Sequence, residues 1–336
     1  MIRKKIRFSS ARVSCVFEGS MRQLKEFADP KTAVLLTDEH VFDAHAARFK
    51  GWNTIVLRPG EAYKVQATVD SVIGQLIEMG AGRATTLIGV GGGVITDLTG
   101  YIASVFMRGL RFGFVPTTLL ALVDASIGGK NGIDVGVYKN MVGTIRQPDF
   151  ILHDLAWLQS LPEAEWRSGF AEIIKHACIA DGSMFRALEA ADLTVYQQKK
   201  KQLAALVQRN ALLKIKVVQS DEFELGQRRL LNFGHTLGHA LENQYELTHG
   251  QAISIGMAFA ARLSQQRTGF RQPQRVVDLL DRYGLPTDAR YKKEKVLHLL
   301  AGDKKKEGDS IRFILLQRIG RALIEPIPLK ELNELI

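Results

Sequence analysis

The sequence is poor in cysteine: Cys15 and Cys178 are the only two in 336 residues, they stand far apart, and neither belongs to a Cys-x-x-Cys pair. That spacing argues against a disulfide framework and fits a reducing compartment. No apolar run reaches the length of a membrane span. The opening stretch MIRKKIRF is basic but lacks the apolar core of a secretory signal. Internal repeats and low-complexity tracts are missing too. These absences lead to the expectation of a cytoplasmic protein with no membrane partner. Acidic residues are the minority charge, 35 Asp and Glu against 45 Lys and Arg, for a net charge of +10. A basic surplus suits nucleic acid, a membrane surface or anionic small substrates. The densest runs, 199–201 and 304–306, are short, and the other basic residues are scattered. With no recognition motif beside them, nucleic acid is not expected as a partner, and a basic nucleic-acid-binding protein is the remote alternative.

What is present is a globular composition, 46% hydrophobic, on a chain long enough for two domains. Short aliphatic runs at 33–37, 54–57, 85–90 and 111–115 read as buried strands, and 69–79 and 94–107 read as helices between them. That alternation predicts a parallel α/β domain. Residues 116–148 are irregular and rich in Gly, Asn, Asp and Lys, as a folded site would be. Beyond the strand-like Phe150-Ile151-Leu152, helical spacing dominates, at 162–182, 203–218, 235–243, 252–267 and 274–283. The expected division is therefore 1–158, an α/β domain, and 159–336, a mostly α-helical one.

Three groups of residues carry chemistry. The first is the strand–glycine–helix element VGGGVITDLTGY, residues 90–101. Glycines admit a phosphate close to the backbone, and a helix N-terminus offers free N–H groups. It is not the Gly-x-Gly-x-x-Gly fingerprint, because position 96 is Thr. Asp97 reads as a first-turn carboxylate, a place that the helix dipole favours, and one better suited to ribose or ring amide groups than to pyrophosphate. Upstream, Pro59-Gly60-Glu61 with Lys64 forms a second polar turn after a strand.

The second group is His235 and His239, four residues apart and hence on one helix face, with His249 soon after and Glu172 inside an apolar helical stretch. Three histidines and an internal carboxylate suit zinc or a similar ion, and spacing alone leaves open which three bind it. The third group is polar and basic: Asp124 to Gly132, too rich in glycine for a core element, then Tyr138-Lys139-Asn140, Lys175, Lys214 and Arg228. Their recurrence beside glycines and metal-type residues points to an anionic substrate, a phosphate or a carboxylate.

With these motifs in order, the sequence resembles the 3-dehydroquinate synthase family of sugar phosphate cyclases. The likeness runs from Asp38 to Lys306 through GGGVITDLTGYIASVFMRG, PTTLLALVDASIGGKNGIDVGVYKNMVG, GFAEIIKHACI, RRLLNFGHTLGHALE, HGQAISIGMAFA and DKK. It implies a Rossmann-like nucleotide-binding α/β domain followed by a mostly α-helical metal-binding domain. It implies metal ligands at Glu172, His235 and His249, with His239 a site residue. Dinucleotide contacts fall on Asp38, Glu61, Lys64, Gly92, Gly93, Asp97, Thr117, Thr118 and Lys139. Catalytic roles fall on Asp124, Lys130, Lys175 and His239. Substrate contacts fall on Lys139, Asn140, Lys214, Arg228, Asn232 and one of Lys304 and Lys305. Arg108 matches an arginine that reaches the neighbouring subunit's substrate, so a homodimer is implied. Three places depart from the family pattern: Thr96 for glycine, Asn131 for threonine, and Thr144-Ile145-Arg146 where a small-aromatic pair is usual.

The implied cofactors are NAD and a divalent metal, zinc or else cobalt. The implied reaction turns 3-deoxy-D-arabino-heptulosonate 7-phosphate into 3-dehydroquinate and phosphate, on the shikimate route to aromatic amino acids. It proceeds by transient oxidation, elimination of phosphate, reduction and aldol closure. The alternatives are another sugar phosphate cyclase, or a metal-dependent alcohol dehydrogenase of the glycerol dehydrogenase type, in which 126–132 and 139–143 would have no clear purpose.

Overall fold

The computed structural model describes residues 1–136, 138–242, 244–301, 306–307 and 310–335. The chain divides into two compact units, Met1–Pro162 with Ala204–Phe223, and Glu163–Leu203 with Glu224–Ile336.

The first unit is built on a seven-stranded sheet. In chain order its elements are β1 (Ile2–Arg7), β2 (Arg12–Phe17), β3 (Ala33–Asp38), α1 (Glu39–His45), β4 (Asn53–Leu57), α2 (Gln66–Glu78), β5 (Thr86–Gly91), α3 (Gly93–Val105), β6 (Arg111–Pro116), β7 (Lys130–Val135), β8 (Tyr138–Ile145) and β9 (Phe150–Leu152). The sheet order is β1-β2-β9-β6-β5-β3-β4, parallel except for β1 on β2, while β7 and β8 form a separate antiparallel hairpin.

Side chains alternate between the two faces of a strand, and both faces are covered here. Val34, Leu36, Leu87, Phe112 and Phe114 pack with Val69, Val72 and Leu76 of α2 and Leu98 and Ile102 of α3. Leu35, Ile88, Val90 and Val115 face the other way, onto Leu24, Phe49 and Trp157. A strand covered on both faces reads as a continuous apolar run, which is why these runs lack polar alternation. Each fully buried aliphatic side chain contributes about 1.5–3 kcal/mol.

The helix α7 (Lys200–Ser220) follows α4 (Glu163–Ala180), α5 (Gly182–Glu189) and α6 (Leu193–Gln198) in the chain. The expected division places all of residues 159–336 in the second domain, but Ala204–Phe223 packs with the first unit. The cause is a stripe at helical spacing: Ala211, Ile215 and Val218 are buried in the same core as α2 and α3. After α7, Glu222 closes the unit. Its carboxylate accepts from Ser9 N (2.8 Å), the Ser9 hydroxyl, Ser10 Oγ (2.6 Å) and Gln147 Nε2 (2.9 Å).

Residues 124–132, expected outside any core element, are more ordered than that. One π-helical turn, Ala121–Ala125, leads into them, and Ser126, Ile127 and Asn131 are buried. Lys130 then opens β7, whose Ile133 joins the sheet core.

The second unit continues with α8 (His235–Glu242), α9 (His249–Thr268), α10 (Pro273–Arg282), α11 (Lys293–Ala301), β10 (Lys306–Glu307), β11 (Ser310–Arg318), β12 (Arg321–Pro328) and α12 (Leu329–Leu335). Its core joins Leu237 and Leu241 of α8, Ile255 and Leu263 of α9, Val296 of α11 and Phe313 and Leu315 of β11. Among the described residues, no helix is long and apolar enough to cross a membrane.

Candidate active site

In the second unit, three elements bring one carboxylate and two imidazoles together. Glu172 sits on α4 with no exposed surface, His235 opens α8 and His249 opens α9. Their ligand atoms all lie within 4.8 Å of one another. Glu172 Oε1 is 3.3 Å from His249 Nε2 and 3.7 Å from His235 Nε2. Helices α8 and α9 achieve this approach through glycine: a Cβ at Gly256 would fall 1.9 Å from the Gly234 carbonyl oxygen. The start of α9 is set by a capping box, in which Thr248 Oγ1 accepts from Gln251 N and Gln251 Oε1 accepts from Thr248 N.

The rings are oriented from behind. His235 Nδ1 is 3.2 Å from the Phe233 carbonyl oxygen, which only accepts, so Nδ1 carries a proton and the ring turns its Nε2 toward Glu172. His249 Nδ1 is 3.5 Å from Glu242 Oε2, a second carboxylate that holds the ring from behind. Burial lowers the pKa of His249, but the Glu172 and Glu242 carboxylates outweigh it and push the imidazolium up to about 9. The surroundings thus favour positive charge between these groups, and two nitrogens with one oxygen suit a borderline divalent ion held by oriented rings. His239, the other half of the His-x-x-x-His pair, is half-buried on α8, its ring centroid 5.1 Å from that of His235 and 6.4 Å from that of His249. Lys175, one turn after Glu172, is buried and ion-paired with it.

In the first unit, the dinucleotide-type residues gather at the carboxyl ends of β3, β5 and β6. Strand order reverses between β3 and β5, and ligands of open α/β sheets bind at such a crevice. Gly92 is the N-cap of α3, and a Cβ there would come within 3.0 Å of Thr118 Cγ2, so a side chain would fill the cradle that Gly92 and Gly93 leave open. Thr117 Oγ1 is buried and has no hydrogen-bond partner, as a hydroxyl waiting for a polar ligand would be. Thr118 Oγ1 is occupied, accepting from Ala121 N at 3.1 Å. Asp38 caps α1, accepting from Val41 N at 3.0 Å, and burial raises its pKa.

Asp97 departs from its expected first-turn position. The helix begins at Gly93, so Asp97 lies just beyond the first turn, and its partner is a side chain. Lys64 Nζ is 2.6 Å from Asp97 Oδ2, 3.7 Å from Glu61 Oε1 and 2.6 Å from Asn140 Oδ1. Burial raises the pKa of both Asp97 and Glu61 against the pull of Lys64. Burial lowers that of Lys64, yet Asp97 and Glu61 carry it upward, so the ammonium stays charged. Asn140 is held with φ at 54°, its N–H donating to Asp134 Oδ1 at 2.7 Å.

Asp124 and Lys214 also meet, with Lys214 Nζ 2.9 Å from Asp124 Oδ1 and 2.7 Å from its carbonyl oxygen. Lys130 is exposed at the start of β7, and Lys139 is half-buried on β8. Arg228 is buried, and Asn232 Nδ2 donates to Glu224 Oε1 at 2.8 Å. Arg108 stands apart. It follows the far end of α3, about 20 Å from Gly92 by helix rise, on an exposed loop where Met107 and Arg108 have φ of 51° and 64°. Left-handed backbone costs a non-glycine residue about 1–2 kcal/mol. Lys304 and Lys305 lie outside the described residues.

Two supporting groups escape the sequence reading. Glu242 orients His249, and its place seven residues after His235 and three after His239 is a readable helical spacing. The Phe233 carbonyl carries no such signal, since any residue would supply it.

A parallel α/β unit with a glycine cradle and a helical unit with a Glu-His-His donor set define a class, the enzymes that couple a dinucleotide to a divalent metal. Family models narrow it: 3-dehydroquinate synthase N-terminal matches residues 54–168, and 3-dehydroquinate synthase C-terminal matches 169–306. The chain belongs to the 3-dehydroquinate synthase family. A 3-dehydroquinate synthase of Pyrobaculum neutrophilum is 39% identical over 292 residues, 85% of each chain. A 2-deoxy-scyllo-inosose synthase complexed with carbaglucose-6-phosphate, NAD+ and Co2+ superposes with a TM-score of 0.88 at 25% identity, covering 99% of both chains. The 2-epi-5-epi-valiolone synthase of Streptomyces hygroscopicus with NAD+ and Zn2+ bound superposes with a TM-score of 0.86 at 27% identity, covering 99% of this chain and 96% of the other.

Proposed function

We propose that the chain is a 3-dehydroquinate synthase, a lyase that converts 3-deoxy-D-arabino-heptulosonate 7-phosphate into 3-dehydroquinate and phosphate, using NAD and one divalent ion. The observation that carries this reading is the convergence of Glu172, His235 and His249 within 4.8 Å, in a chain that both family models match. When bound, NAD supplies a hydride acceptor that is restored within one turnover, and the ion, zinc or else cobalt, supplies a Lewis acid.

The remaining work falls to side chains of this chain. Glu172, His235 and His249 hold the ion, and Glu242 and the Phe233 carbonyl fix the two rings. Asp38, Glu61, Lys64, Asp97, Thr117, Thr118 and Lys139 hold the dinucleotide against the Gly92–Gly93 cradle. Lys130, Lys214, Arg228, Asn232 and Asn140, with Lys304 or Lys305, meet the carboxylate and the phosphate, whose negative charge needs several fixed cations. Asp124, Lys175 and His239 move protons. The domain roles follow: the α/β part binds NAD and contributes Lys130, Asn140 and Lys214 to the substrate, and the helical part binds metal and substrate.

Two further assignments belong to the same proposal. The enzyme is a homodimer, in which Arg108 reaches the substrate of the partner; its exposed place beyond the far end of α3, away from the glycine cradle, supports this. It works in the cytoplasm, as two free, buried cysteines allow.

A related cyclase is the second reading, favoured by the TM-score of 0.88 to a 2-deoxy-scyllo-inosose synthase. One assay separates the two. Phosphate release is measured from the heptulosonate phosphate, glucose 6-phosphate and sedoheptulose 7-phosphate, with and without NAD and after chelation. The expected result is release from the heptulosonate phosphate alone, lost on chelation and restored by zinc or cobalt. Turnover of either control with none of the heptulosonate phosphate overturns the assignment.

A further inference from the structure

The departures at Asn131 and at Thr144-Ile145-Arg146 fall on one seam, where the β7–β8 hairpin meets α3. Asn131 fits because residue 100 is glycine: a Cβ there would lie 1.8 Å from Asn131 Oδ1. Asn131 Nδ2 donates to Gly129 O at 2.8 Å and to Arg146 O at 3.0 Å. Thr144 Oγ1 donates to Ser104 Oγ at 3.1 Å. These bonds hold the end of β8 against the last turns of α3 and aim the Arg146 side chain at the loop beyond.

That side chain spans the loop. Its Nη1 donates to Ala103 O at 2.8 Å, its Nη2 to Leu110 O at 2.6 Å, and its guanidinium carbon lies 5.1 Å from the centroid of the Phe112 ring. Between the two carbonyls runs 104–109, with Met107, Arg108 and Gly109 at φ of 51°, 64° and 126°. Leu110 N–H closes the same loop by donating to Ala103 O at 2.7 Å. A run of left-handed backbone persists only where its surroundings over-determine it, and a forked, two-point donor does that as a single ammonium does not.

We propose that Arg146 is a positioning residue for Arg108: it clamps the strained loop so that the exposed Arg108 guanidinium is presented ready-made to an anionic group of the substrate. This rests on the reading of Arg108 as a substrate-binding arginine. Preorganisation of this kind acts on substrate affinity and leaves the distant NAD cradle untouched.

The test compares wild type with Arg146→Met, Arg146→Lys, Arg108→Ala and the double variant Arg108→Ala/Arg146→Met. Phosphate release from the heptulosonate phosphate, NAD affinity and amide hydrogen exchange at Gly109 and Leu110 are read for each. Arg146→Met is expected to speed exchange at those two amides and to raise KM by about ten- to a hundredfold, with kcat and NAD affinity little changed. Arg146→Lys, which keeps the charge and loses the fork, falls between the two. The double variant is no worse than Arg108→Ala, because Arg146 acts through Arg108. Additive losses in the double variant, or faster exchange with KM unmoved, would overturn the proposal. If Arg146→Met does not fold, Arg146→Lys decides by the same readings. If wild type releases no phosphate, the functional reading has failed; unchanged exchange in both Arg146 variants then overturns the clamp itself.

Discussion

Lys64 reaches from the turn after β4 to Asp97 on α3, Nζ to Oδ2 2.6 Å, and so ties together two polar segments that the sequence separates. The pair sits beside the glycine cradle and has Glu61 and Asn140 as further partners. Replacing Lys64 by Met strands two carboxylates whose pKa burial already raises. The expected loss is about 1–3 kcal/mol of stability and at least about tenfold in NAD affinity, equivalent to 1.4 kcal/mol, with bound metal unchanged. Thermal unfolding, NAD titration and elemental analysis check the three parts separately.

His235→Ala removes one of the converging donors. We expect loss of the bound metal and of nearly all turnover. Glu242→Gln, which keeps the shape but weakens the orientation of His249, should cost about 10–100-fold in metal affinity. Metal content by elemental analysis, with competition against a chelator of known affinity, decides both. Wild-type metal content in His235→Ala would refute the ligand assignment.

Lys130 is exposed at the start of β7, and the proposed function gives its ammonium a place against an anionic group of the substrate. Lys130→Ala should raise KM for the heptulosonate phosphate while NAD affinity survives. Steady-state kinetics beside an NAD titration tests this, and unchanged kinetic constants would count against the role.

Glu222 makes stability depend on acid. Burial raises its pKa, but four hydrogen bonds outweigh burial and take it from an ordinary 4.5 down to about 2. A group depressed in the folded state stabilises fully above its unfolded value, and that contribution fades as pH falls through the folded one. The window therefore lies between pH 4.5 and about 2. Glu222→Gln should lower stability at neutral pH by about 1–3 kcal/mol and flatten the acid limb. Urea unfolding across that window reads the slope, and an undiminished slope in the variant would rule the group out.

The parts of the fold that were legible in the sequence are those whose local pattern matches their burial. Strands β3, β5 and β6 are covered on both faces, and each reads as an aliphatic run. The β1–β2 hairpin was not legible, because β1 is an exposed edge strand with the sequence IRKKIR, whose charges protect the edge rather than build a core. The β11–β12 hairpin is not legible either, although β11 carries Ile314-Leu315-Leu316, because helical spacing dominates the sequence before it. At the site, residue types and helical spacing brought out Glu172, His235, His239 and Glu61 with Lys64. The choice between His239 and His249 was beyond spacing, since it depends on where the start of α9 packs against α8. The partner of Asp97 was hidden for the same reason: an ion pair across more than thirty residues leaves no local trace.

Helix α7 has a consequence for any attempt to split this protein. The chain leaves the first unit at Pro162 and returns at Ala204, so neither half is a contiguous stretch of gene. A fragment that stops at Pro162 would lack Ala211, Ile215 and Val218, and would bare the greasy side of α2 and α3 to water. Such a piece should precipitate when expressed by itself. Supplied with residues 204–223 as a separate peptide, it has its missing wall back.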